Sequence, residues 1–242
     1  MLRFRRGLHE RFQRNAAKLG WKRKGERVLI GLSGGRDSVT LLHLLIVNGH
    51  HVVAAHLNHR LRGRESMADE QFVKRLCHAW KVPLVTAREN VAARAKRHHL
   101  SIEEAARIAR YRFLEKTARA KKLRKVVLAH HEMDQAETVL LRVLQSGRRE
   151  MLGGMTSSRP FPRLEWSGAG SKRKSTLQLV RPLLDASREE MTQYARAHHL
   201  AWREDRSNRD MTRPRNWIRH HLIPLIERRM NRNVVRTLAR LG

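Results

Sequence analysis

Residues 27–45 read RVLIGLSGGRDSVTLLHLL, and this stretch decides the fold. The apolar run at 28–32 predicts a buried β-strand, because it is short and bounded by turn-forming residues. Gly34 and Gly35 follow and predict a sharp turn that lets the backbone approach a ligand closely. From residue 39 onward, apolar side chains recur with helical spacing. The stretch therefore predicts a strand, a glycine turn and a helix in succession.

The glycine turn is expected to bind an anion. The first amides of a helix point into such a turn, and the helix dipole adds positive potential there, so phosphate or pyrophosphate is the expected ligand. Asp37 lies among these donors, which suits a site where Mg²⁺ accompanies the phosphates. The spacing matches neither G-x-x-x-x-G-K-[ST] nor G-x-G-x-x-G, so neither a Walker A loop nor a dinucleotide-binding fingerprint is predicted.

The composition points to a polyanionic partner. The 242 residues contain 52 Lys and Arg against 22 Asp and Glu, a formal net charge of +30. This excess favours a surface that binds nucleic acid, although solubilising charge accounts for part of it. Cys77 is the single cysteine, which excludes an intramolecular disulfide, a cysteine-ligated zinc site and a three-cysteine iron–sulfur site within these residues. No apolar run approaches the ~18 residues that span a bilayer, so we expect no membrane partner and a cytoplasmic location.

Strand-like and helical patterns alternate along the chain. Helical patterns at 39–48, 66–80 and 101–121 separate the first four of five apolar runs, which lie at 28–32, 52–57, 82–86, 126–129 and 177–180. This alternation predicts an α/β fold with a doubly wound parallel sheet. A further helix is expected at 187–198, and a C-terminal helical tail at 222–241.

Polar residues that suit catalysis follow the predicted strands. In doubly wound sheets, ligands bind beyond the carboxyl ends of the strands. A basic loop at 56–63 follows the second strand, and Asp134 follows the fourth, which brings it near Asp37. Two carboxylates beside a phosphate loop form a site for Mg²⁺. A helix N-cap is the alternative role for Asp134, and the two roles are compatible.

The helix predicted at 101–121 carries a polar stripe. Glu103, Arg107, Arg110 and Tyr111 recur at a spacing of three to four residues. An arginine that faces a phosphate-bearing cleft would stabilise negative charge developing on an α-phosphate. An ion pair between Glu103 and Arg107 within the helix is the alternative. Further along, the pattern dissolves from 146 to 174, and we expect a mobile basic loop at 156–176.

Several sequence blocks together resemble the tRNA(Ile)-lysidine synthase family, which is part of the ATP pyrophosphatase (PP-loop) group with its adenine nucleotide alpha hydrolase-like fold. The order and spacing of the blocks make the resemblance specific, and it covers nearly the whole chain. The blocks are LSGGRDS at 32–38, HLNHRLRG at 56–63, EEAARIARY at 103–111, AHHEMDQAET at 129–138, GGM at 153–155, VRPLL at 180–184, DRSN at 205–208 and RNWIR at 215–219.

The resemblance implies a ligase reaction that uses ATP and Mg²⁺. The ring carbonyl oxygen of the wobble cytidine, in an isoleucine tRNA with a CAU anticodon, attacks the α-phosphate of ATP and releases pyrophosphate. The amine of free L-lysine then attacks the activated ring carbon and expels AMP, which yields lysidine. The tRNA and lysine are thus the implied partners, and a homodimer is left open.

The resemblance also assigns roles to individual residues. Those implied in ATP binding are Ser33, Gly34, Gly35, Arg36, Asp37, Ser38 and His56. Asp37 and Asp134 are implied as Mg²⁺ ligands, and catalysis adds Arg107 and Arg110. The tRNA or substrate contacts are Asn58, His59, Arg60, Arg62, Glu103, His131, Glu137, Arg215 and Asn216. We also expect His131 to accept the proton of the lysine amine.

The chain is expected to divide into a catalytic domain at 1–216 and a helical tail at 217–242 that begins an accessory region. Met133 departs from the acidic or polar residue that the family often has before its Asp-Gln pair, which leaves Asp134 as the metal ligand expected from this block. Three alternatives stay open. They are a tRNA thiolase of the same group, a small-molecule adenylating ligase similar to NAD or GMP synthetase, and a non-catalytic RNA-binding relative.

Overall fold

A six-stranded sheet forms the centre of the protein, in a computed structural model that describes residues 2–145, 153–162, 176–204 and 210–241. The strands are β1 (Arg27–Gly31), β2 (His51–Asn58), β3 (Leu84–Arg88), β4 (Lys125–Val127), β5 (Ser158–Pro160) and β6 (Gln178–Val180). Their order across the sheet is β3-β2-β1-β4-β6-β5. All neighbouring pairs are parallel except β5 and β6, which are antiparallel.

Ten α-helices surround or extend the sheet in the described residues. They are α1 (Leu2–Lys18), α2 (Arg36–Val47), α3 (Arg64–Ala79), α4 (Val91–Arg97), α5 (Ile102–Ala120), α6 (Glu132–Gln145), α7 (Arg188–Ala197), α8 (Pro214–Trp217), α9 (Ile223–Arg229) and α10 (Val234–Arg240). A π-helical turn (Ile218–Leu222) joins α8 to α9. No helix among the described residues combines the length and the apolar composition needed to cross a membrane.

Apolar layers cover both faces of the sheet, as the doubly wound prediction requires. Val28 and Ile30 of β1 belong to the core shared with α1, α2, α3 and α7. Leu29 points to the other face and packs with Leu114 of α5. Alternate residues of a strand point to opposite faces, and all three of these β1 side chains are fully buried. The continuous apolar run of β1 therefore reflects a strand that is buried on both sides.

The topology fixes where a ligand binds. The chain runs from β1 outward to β2 and β3, then crosses back to β4 on the other side of β1. The strand order thus reverses between β1 and β4, and in open α/β sheets ligands bind at the carboxyl ends of the strands at such a switch point. Helices α2 and α6 begin directly after β1 and β4. Their first turns face this crevice.

All five predicted strands form, and the structure adds a sixth. β5 lies in the segment expected to be irregular, and at the start of the loop expected at 156–176. It is an edge strand of three residues that includes Pro160, a residue tolerated at sheet edges, so it carries no alternating apolar pattern. The rest of that loop, residues 163–175, and the DRSN block at 205–208 lie outside the described residues. The helix α4 was also not predicted.

The C-terminal helical segment begins earlier than expected, at Pro214 rather than near residue 222. Proline is favoured in the first turn of a helix, and this one marks the start. The segment packs on α6 through a cluster that contains Ala136, Ile218, Ile223 and Val235, with Met133 partly buried at its side. The division expected between 216 and 217 therefore falls inside this helical segment. Leu8 and Phe12 of α1 and Cys77 of α3 are buried.

Candidate active site

The glycine turn between β1 and α2 has the geometry of an anion-binding loop. Gly34 has φ +90°, and a Cβ there would lie 3.1 Å from Cγ2 of Val73, so no other residue fits without strain. Gly35 precedes the first turn of α2 with extended backbone, and no side chain caps that turn. The first amides of α2 are therefore left for a ligand.

The two serines of the turn stabilise its shape. The hydroxyl of Ser38 donates to the carbonyl oxygen of Gly35 at 2.9 Å and lies 3.0 Å from the hydroxyl of Ser33. The amide of Gly35 donates to the Ser33 hydroxyl at 3.2 Å. Ser38 is buried and Ser33 is exposed, and both border the pocket. Ser38 thus acts mainly on the loop, and Ser33 also faces the ligand space.

Asp37 and Asp134 meet at one histidine. Nε2 of His131 lies 3.5 Å from Oδ2 of Asp37 and 3.7 Å from Oδ2 of Asp134. Asp37 comes from the first turn of α2, and Asp134 comes from the first turn of α6, where Oδ2 accepts from the amide of His131 at 3.0 Å. The structure thus brings together the two carboxylates that the sequence singled out.

Hydrogen bonding fixes the orientation of His131. The amide of Met133 donates to Nδ1 at 3.2 Å, so Nδ1 acts as an acceptor and the ring proton is on Nε2, which faces the two carboxylates. Burial lowers the pKa of His131, but the charges of Asp134 and Asp37 outweigh it and raise the pKa overall. In this arrangement His131 is a donor, because it has no free acceptor nitrogen. The expectation that it accepts the proton of the lysine amine stays a prediction.

Both carboxylates are ionised at neutral pH. Burial raises the pKa of Asp37, but the hydrogen bond and charge of His131 and the charge of Arg36 lower it to about 2. Burial also raises the pKa of Asp134, but the charge of His131, the hydrogen bond from its backbone amide and the charge of Arg219 contribute to a net lowering. Arg36 itself donates to Oδ1 of Asp37 at 2.8 Å and to Thr192 of α7. Arg36 therefore orients the carboxylate.

The carboxylate pair fits Mg²⁺ that is bound together with phosphates. The described residues contain no group of three His, Cys, Asp or Glu side chains arranged to hold a metal ion. Mg²⁺ commonly takes one or two carboxylates from the protein and its remaining ligands from substrate phosphates and water. The chemistry of Asp37 and Asp134, next to uncapped helix amides, matches that pattern.

Arg219 is a site residue that sequence reasoning did not assign. It comes from the π-helical turn, a distortion frequent at functional sites, and its Nη2 lies 3.3 Å from Oδ1 of Asp134. Its Nε donates to Glu137, whose side chain is 1% exposed. Burial raises the pKa of Glu137 despite the opposing charge of Arg219. Glu137, expected as a substrate contact, is thus occupied in holding Arg219.

A pocket of about 540 Å³ is bordered by the glycine turn, Asp37, Asp134 and Arg219. Its described lining contains seven arginines and four acidic residues, which makes it strongly positive. The segment before residue 205 closes one side, since the amide of Arg203 donates to the carbonyl oxygen of Gly34 at 3.0 Å. Asp69 of α3 accepts from both Arg203 and Arg62 and ties that segment to the loop after β2.

A second pocket, of about 620 Å³, lies elsewhere on the surface. It is bordered by α1, α10 and the segments around Met155 and Leu184. Its lining includes no residue of the glycine turn and neither Asp37 nor Asp134. The smaller pocket therefore has the features that chemistry on a phosphate needs, and the larger one lacks them.

Two further expected tRNA contacts, Asn58 and Asn216, are buried, as His131 and Glu137 are. Asn58 donates to the carbonyl oxygen of Ser66 and to Oε2 of Glu70, both at 3.0 Å, and accepts from the amide of Arg60. Asn216 donates to the carbonyl oxygen of Asp210 at 2.9 Å. These amides hold loops in place, so neither side chain is open to RNA. His56, expected at the ATP, is also buried, and its Nδ1 donates to the carbonyl oxygen of Leu32 at 2.8 Å.

The remaining expected contacts differ in exposure. Arg60 is exposed, whereas Nη2 of Arg62 donates to Asp69 at 2.7 Å and Arg62 borders the pocket. Burial, followed by the charge of Arg110, lowers the pKa of His59 to about 4, so this histidine is neutral.

The side chains of Arg107 and Arg110 on α5 lie beside the ring of Tyr111. In the described part of the chain, Arg107 forms no ion pair with Glu103, whose Oε1 instead lies 3.9 Å from Nε of Arg215. The guanidinium carbons of Arg107 and Arg110 lie 5.7 Å and 5.5 Å from the ring centre of Tyr111. Arg110 and Arg215 border the pocket, whereas Arg107 is exposed beside it.

The fold and the site together define a class of protein, namely an α/β domain that binds phosphate groups at a glycine loop on its switch point. Residues 8–226 match the PP-loop domain family, and the chain belongs to that family.

Curated relatives agree with this family. A tRNA(Ile)-lysidine synthase of Geobacter sulfurreducens is 41% identical over 227 residues, which cover 93% of this chain and 45% of the relative. A tRNA(Ile)-lysidine synthase of Clostridium tetani is 31% identical over 223 residues, which cover 90% of this chain and 44% of the relative. The chain thus spans less than half of the length of these two relatives.

Solved structures share the fold at low identity. The U34-tRNA thiolase NcsA from Methanococcus maripaludis, with its 4Fe–4S cluster, superposes with a TM-score of 0.71 at 17% identity and covers 98% of this chain and 79% of that one. The NMN synthetase from Francisella tularensis has a TM-score of 0.54 at 13% identity, covering 97% of this chain and 94% of that one. At these identities the similarity shows the fold alone.

Proposed function

We propose that this chain carries the catalytic domain of a ligase that forms lysidine. In this reaction the wobble cytidine of an isoleucine tRNA with a CAU anticodon is adenylated by ATP and then coupled to free L-lysine, with release of pyrophosphate and AMP. The observation that carries the proposal is the meeting of Asp37 and Asp134 beside the glycine turn, in a pocket lined by arginines. The names of the relatives supply the substrate.

The site suits the first half of this reaction. The amides that open α2 are available to the phosphates of ATP. Asp37 and Asp134 would hold Mg²⁺, which when bound neutralises phosphate charge and polarises the reacting phosphoryl group. Arg110 and Arg219 border the same pocket and supply positive charge where negative charge develops as the cytidine oxygen attacks. This chemistry needs no protein nucleophile.

His131 has a positioning role in this proposal. Its Nε2 proton lies between the two carboxylates, and the Met133 amide occupies Nδ1. It therefore orients Asp37 and Asp134 toward the ligand space.

The alternatives are less well supported. A thiolase that uses an iron–sulfur cluster needs three cysteine ligands, and these 242 residues contain one, Cys77, which is buried. A small-molecule ligase has no use for a net charge of +30. A non-catalytic RNA-binding relative has no need to keep the glycine turn and both carboxylates in working geometry.

One assay separates these functions. The purified protein is incubated with ATP and Mg²⁺, with the isoleucine tRNA or free lysine omitted in turn, and pyrophosphate is measured. The proposal predicts release that requires the tRNA, and a lysine-containing nucleoside only when lysine is also present. Release without tRNA would favour a small-molecule ligase, and tRNA binding without release would favour a non-catalytic protein.

A further inference from the structure

Four arginines from three different elements converge on Tyr111. Arg107 and Arg110 come from α5, Arg159 from β5, and Arg181 follows β6. Each of the four charges acts on the Tyr111 phenol, and the guanidinium carbons of Arg107 and Arg110 lie within 5.7 Å of its ring centre. We call this group the arginine cluster. Its members come from three separate parts of the sequence and act on one phenol.

The arginine cluster has no acidic counterpart in the described part of the chain. Arg181, which is 3% exposed, donates from Nε to Nδ1 of His130 at 3.0 Å and from Nη1 to the carbonyl oxygen of Thr156 at 2.8 Å. Both of these acceptors are neutral. The Nε atoms of Arg110 and Arg159 are buried and have no hydrogen-bond partner. Buried cations are costly unless an anion compensates them, so this arrangement calls for an external anion.

The pKa of the Tyr111 hydroxyl reflects the electrostatic potential within the arginine cluster. Tyr111 is 3% exposed, and burial raises the pKa of its hydroxyl. The charges of Arg110, Arg181, Arg107 and Arg159 nevertheless lower that pKa below its usual value. The summed positive charge thus outweighs the desolvation of a buried phenol.

The cluster adjoins the pocket but is distinct from the glycine turn. Arg110 borders the pocket, and so does His130, to which Arg181 is bonded, whereas Arg181 itself borders the second pocket. On the open side, Arg107 is exposed and Arg159 is partly exposed. In the proposed function, the amides at the start of α2 bind the phosphates of ATP. The glycine turn before α2 follows β1, in the middle of the sheet, whereas Arg159 lies on β5 at its edge. Arg110 is shared with the pocket, so an anion held by the other three arginines comes from another source.

We propose that the arginine cluster binds a backbone phosphate of the RNA next to the nucleotide that enters the pocket. The inference rests on the proposed function for the identity of the RNA. A base that reaches the pocket carries a phosphate on each side, and guanidinium groups are well suited to bind phosphate oxygens in pairs. The cluster would thereby fix the position of the target base relative to Asp37 and Asp134.

The test uses Arg159→Gln, with Arg112→Gln as the matched control. Arg159 lines neither pocket and its Nε has no partner, so its loss removes charge at little cost to folding. Arg112 is an exposed arginine of α5, next to Tyr111 in sequence, and its change removes the same charge. Binding of a labelled CAU anticodon stem-loop is measured against KCl concentration, and thermal unfolding checks that each variant is folded.

We expect Arg159→Gln to weaken stem-loop binding and to reduce the slope of log K against log salt by about 0.7, the value for one phosphate contact in a single strand. Arg112→Gln should leave the slope unchanged, and Arg159→Lys should largely restore it. An unchanged slope in Arg159→Gln would overturn the inference. So would a selective loss of inorganic pyrophosphate binding, since the anion would then be the product.

The outcomes also separate this inference from the proposed function. The same preparations are assayed for pyrophosphate release that requires tRNA. If the unmodified protein releases none and Arg159→Gln still reduces the salt slope, the ligase function fails and the phosphate contact stands. If the unmodified protein is active and the slope is unaffected by Arg159→Gln, the ligase function stands and the phosphate contact fails.

Discussion

At the scale of single residues, the site depends on carboxylates that stay charged while partly buried. Asp37 and Asp134 lose hydration, and His131, Arg36 and Arg219 compensate by hydrogen bonds and charge. The pKa of Asp37 is lowered to about 2 in the folded protein. Its contribution to the free energy of unfolding is therefore fully present at pH values above the pKa that Asp37 has in the unfolded chain. That contribution is lost as the pH falls through about 2.

Replacing Asp37 should separate catalysis from RNA binding. We expect Asp37→Ala to reduce tRNA-dependent pyrophosphate release by at least ~10²-fold, because a group that acts on developing charge is removed. The affinity for tRNA, measured by filter binding, should change little. Asp185→Ala serves as the control, since this carboxylate is about half exposed and belongs to the other pocket. Equal losses of tRNA affinity and of pyrophosphate release in Asp37→Ala would refute its assigned role.

The buried pair of Glu137 and Arg219 should dominate the stability of the C-terminal packing. Removing one partner of a buried ion pair leaves the other charge uncompensated, which costs about 3 kcal/mol or more. We therefore expect Arg219→Met to lower the free energy of unfolding by about that amount in urea denaturation. The double variant with Glu137→Gln should recover a large part of the loss. No recovery would mean that Arg219 stabilises the fold by other contacts.

At the scale of elements, the glycine turn couples β1 to the start of α2. Gly34→Ala places a Cβ 3.1 Å from Val73 on a backbone with φ +90°. We expect this variant to lose binding of a fluorescent ATP analogue and to be destabilised by about 1–2 kcal/mol, since both the contact and the backbone angle are unfavourable. Gly7→Ala in α1 is the control, because nothing lies within 4 Å of its Cβ position. Its helical location predicts a gain of up to about 1 kcal/mol. Normal nucleotide binding by Gly34→Ala would contradict the role of the turn.

The secondary-structure elements also show which parts of the fold can be predicted from the sequence. Apolar runs and helical periodicity predicted β1 to β4, β6 and most of the longer helices, because these elements carry regular apolar patterns. β5 was missed because three edge residues with a proline carry no such pattern. The sequence placed Asp37 and Asp134 at the same end of the sheet, and the structure brings them to one histidine.

Pairings between distant residues could not be predicted from the sequence. Arg219 stood in a recognised block, yet its bonds to Glu137 and Asp134 cross more than 80 residues. Asn58 and Asn216 were expected to face RNA because they are polar residues within recognised blocks. Their burial follows from loop hydrogen bonds that only the folded chain reveals.

At the scale of the whole molecule, the net charge of +30 includes exposed cations at both edges of the sheet. Arg60 is exposed after β2, at the carboxyl edge of the sheet where the pocket lies. Lys81 is equally an exposed cation but precedes β3, at the opposite edge. The salt dependence of tRNA binding should therefore depend on which of them is removed.

We expect Arg60→Gln to weaken tRNA binding and to reduce the slope of log K against log salt by about 0.7 to 0.9, whereas Lys81→Gln leaves the slope unchanged. Both are measured by anisotropy over a range of KCl concentrations. Identical slopes for the two variants would mean that the charge acts as a uniform field and that the tRNA does not bind at the carboxyl edge.

The most direct test of the account is a crystal structure of the protein with Mg²⁺ and a non-hydrolysable ATP analogue. We expect the phosphates on the amides that open α2, in the pocket that Asp37 and Asp134 border, with the ion held between these two carboxylates. A nucleotide bound instead in the pocket between α1 and α10, or an ion that contacts neither aspartate, would contradict the account.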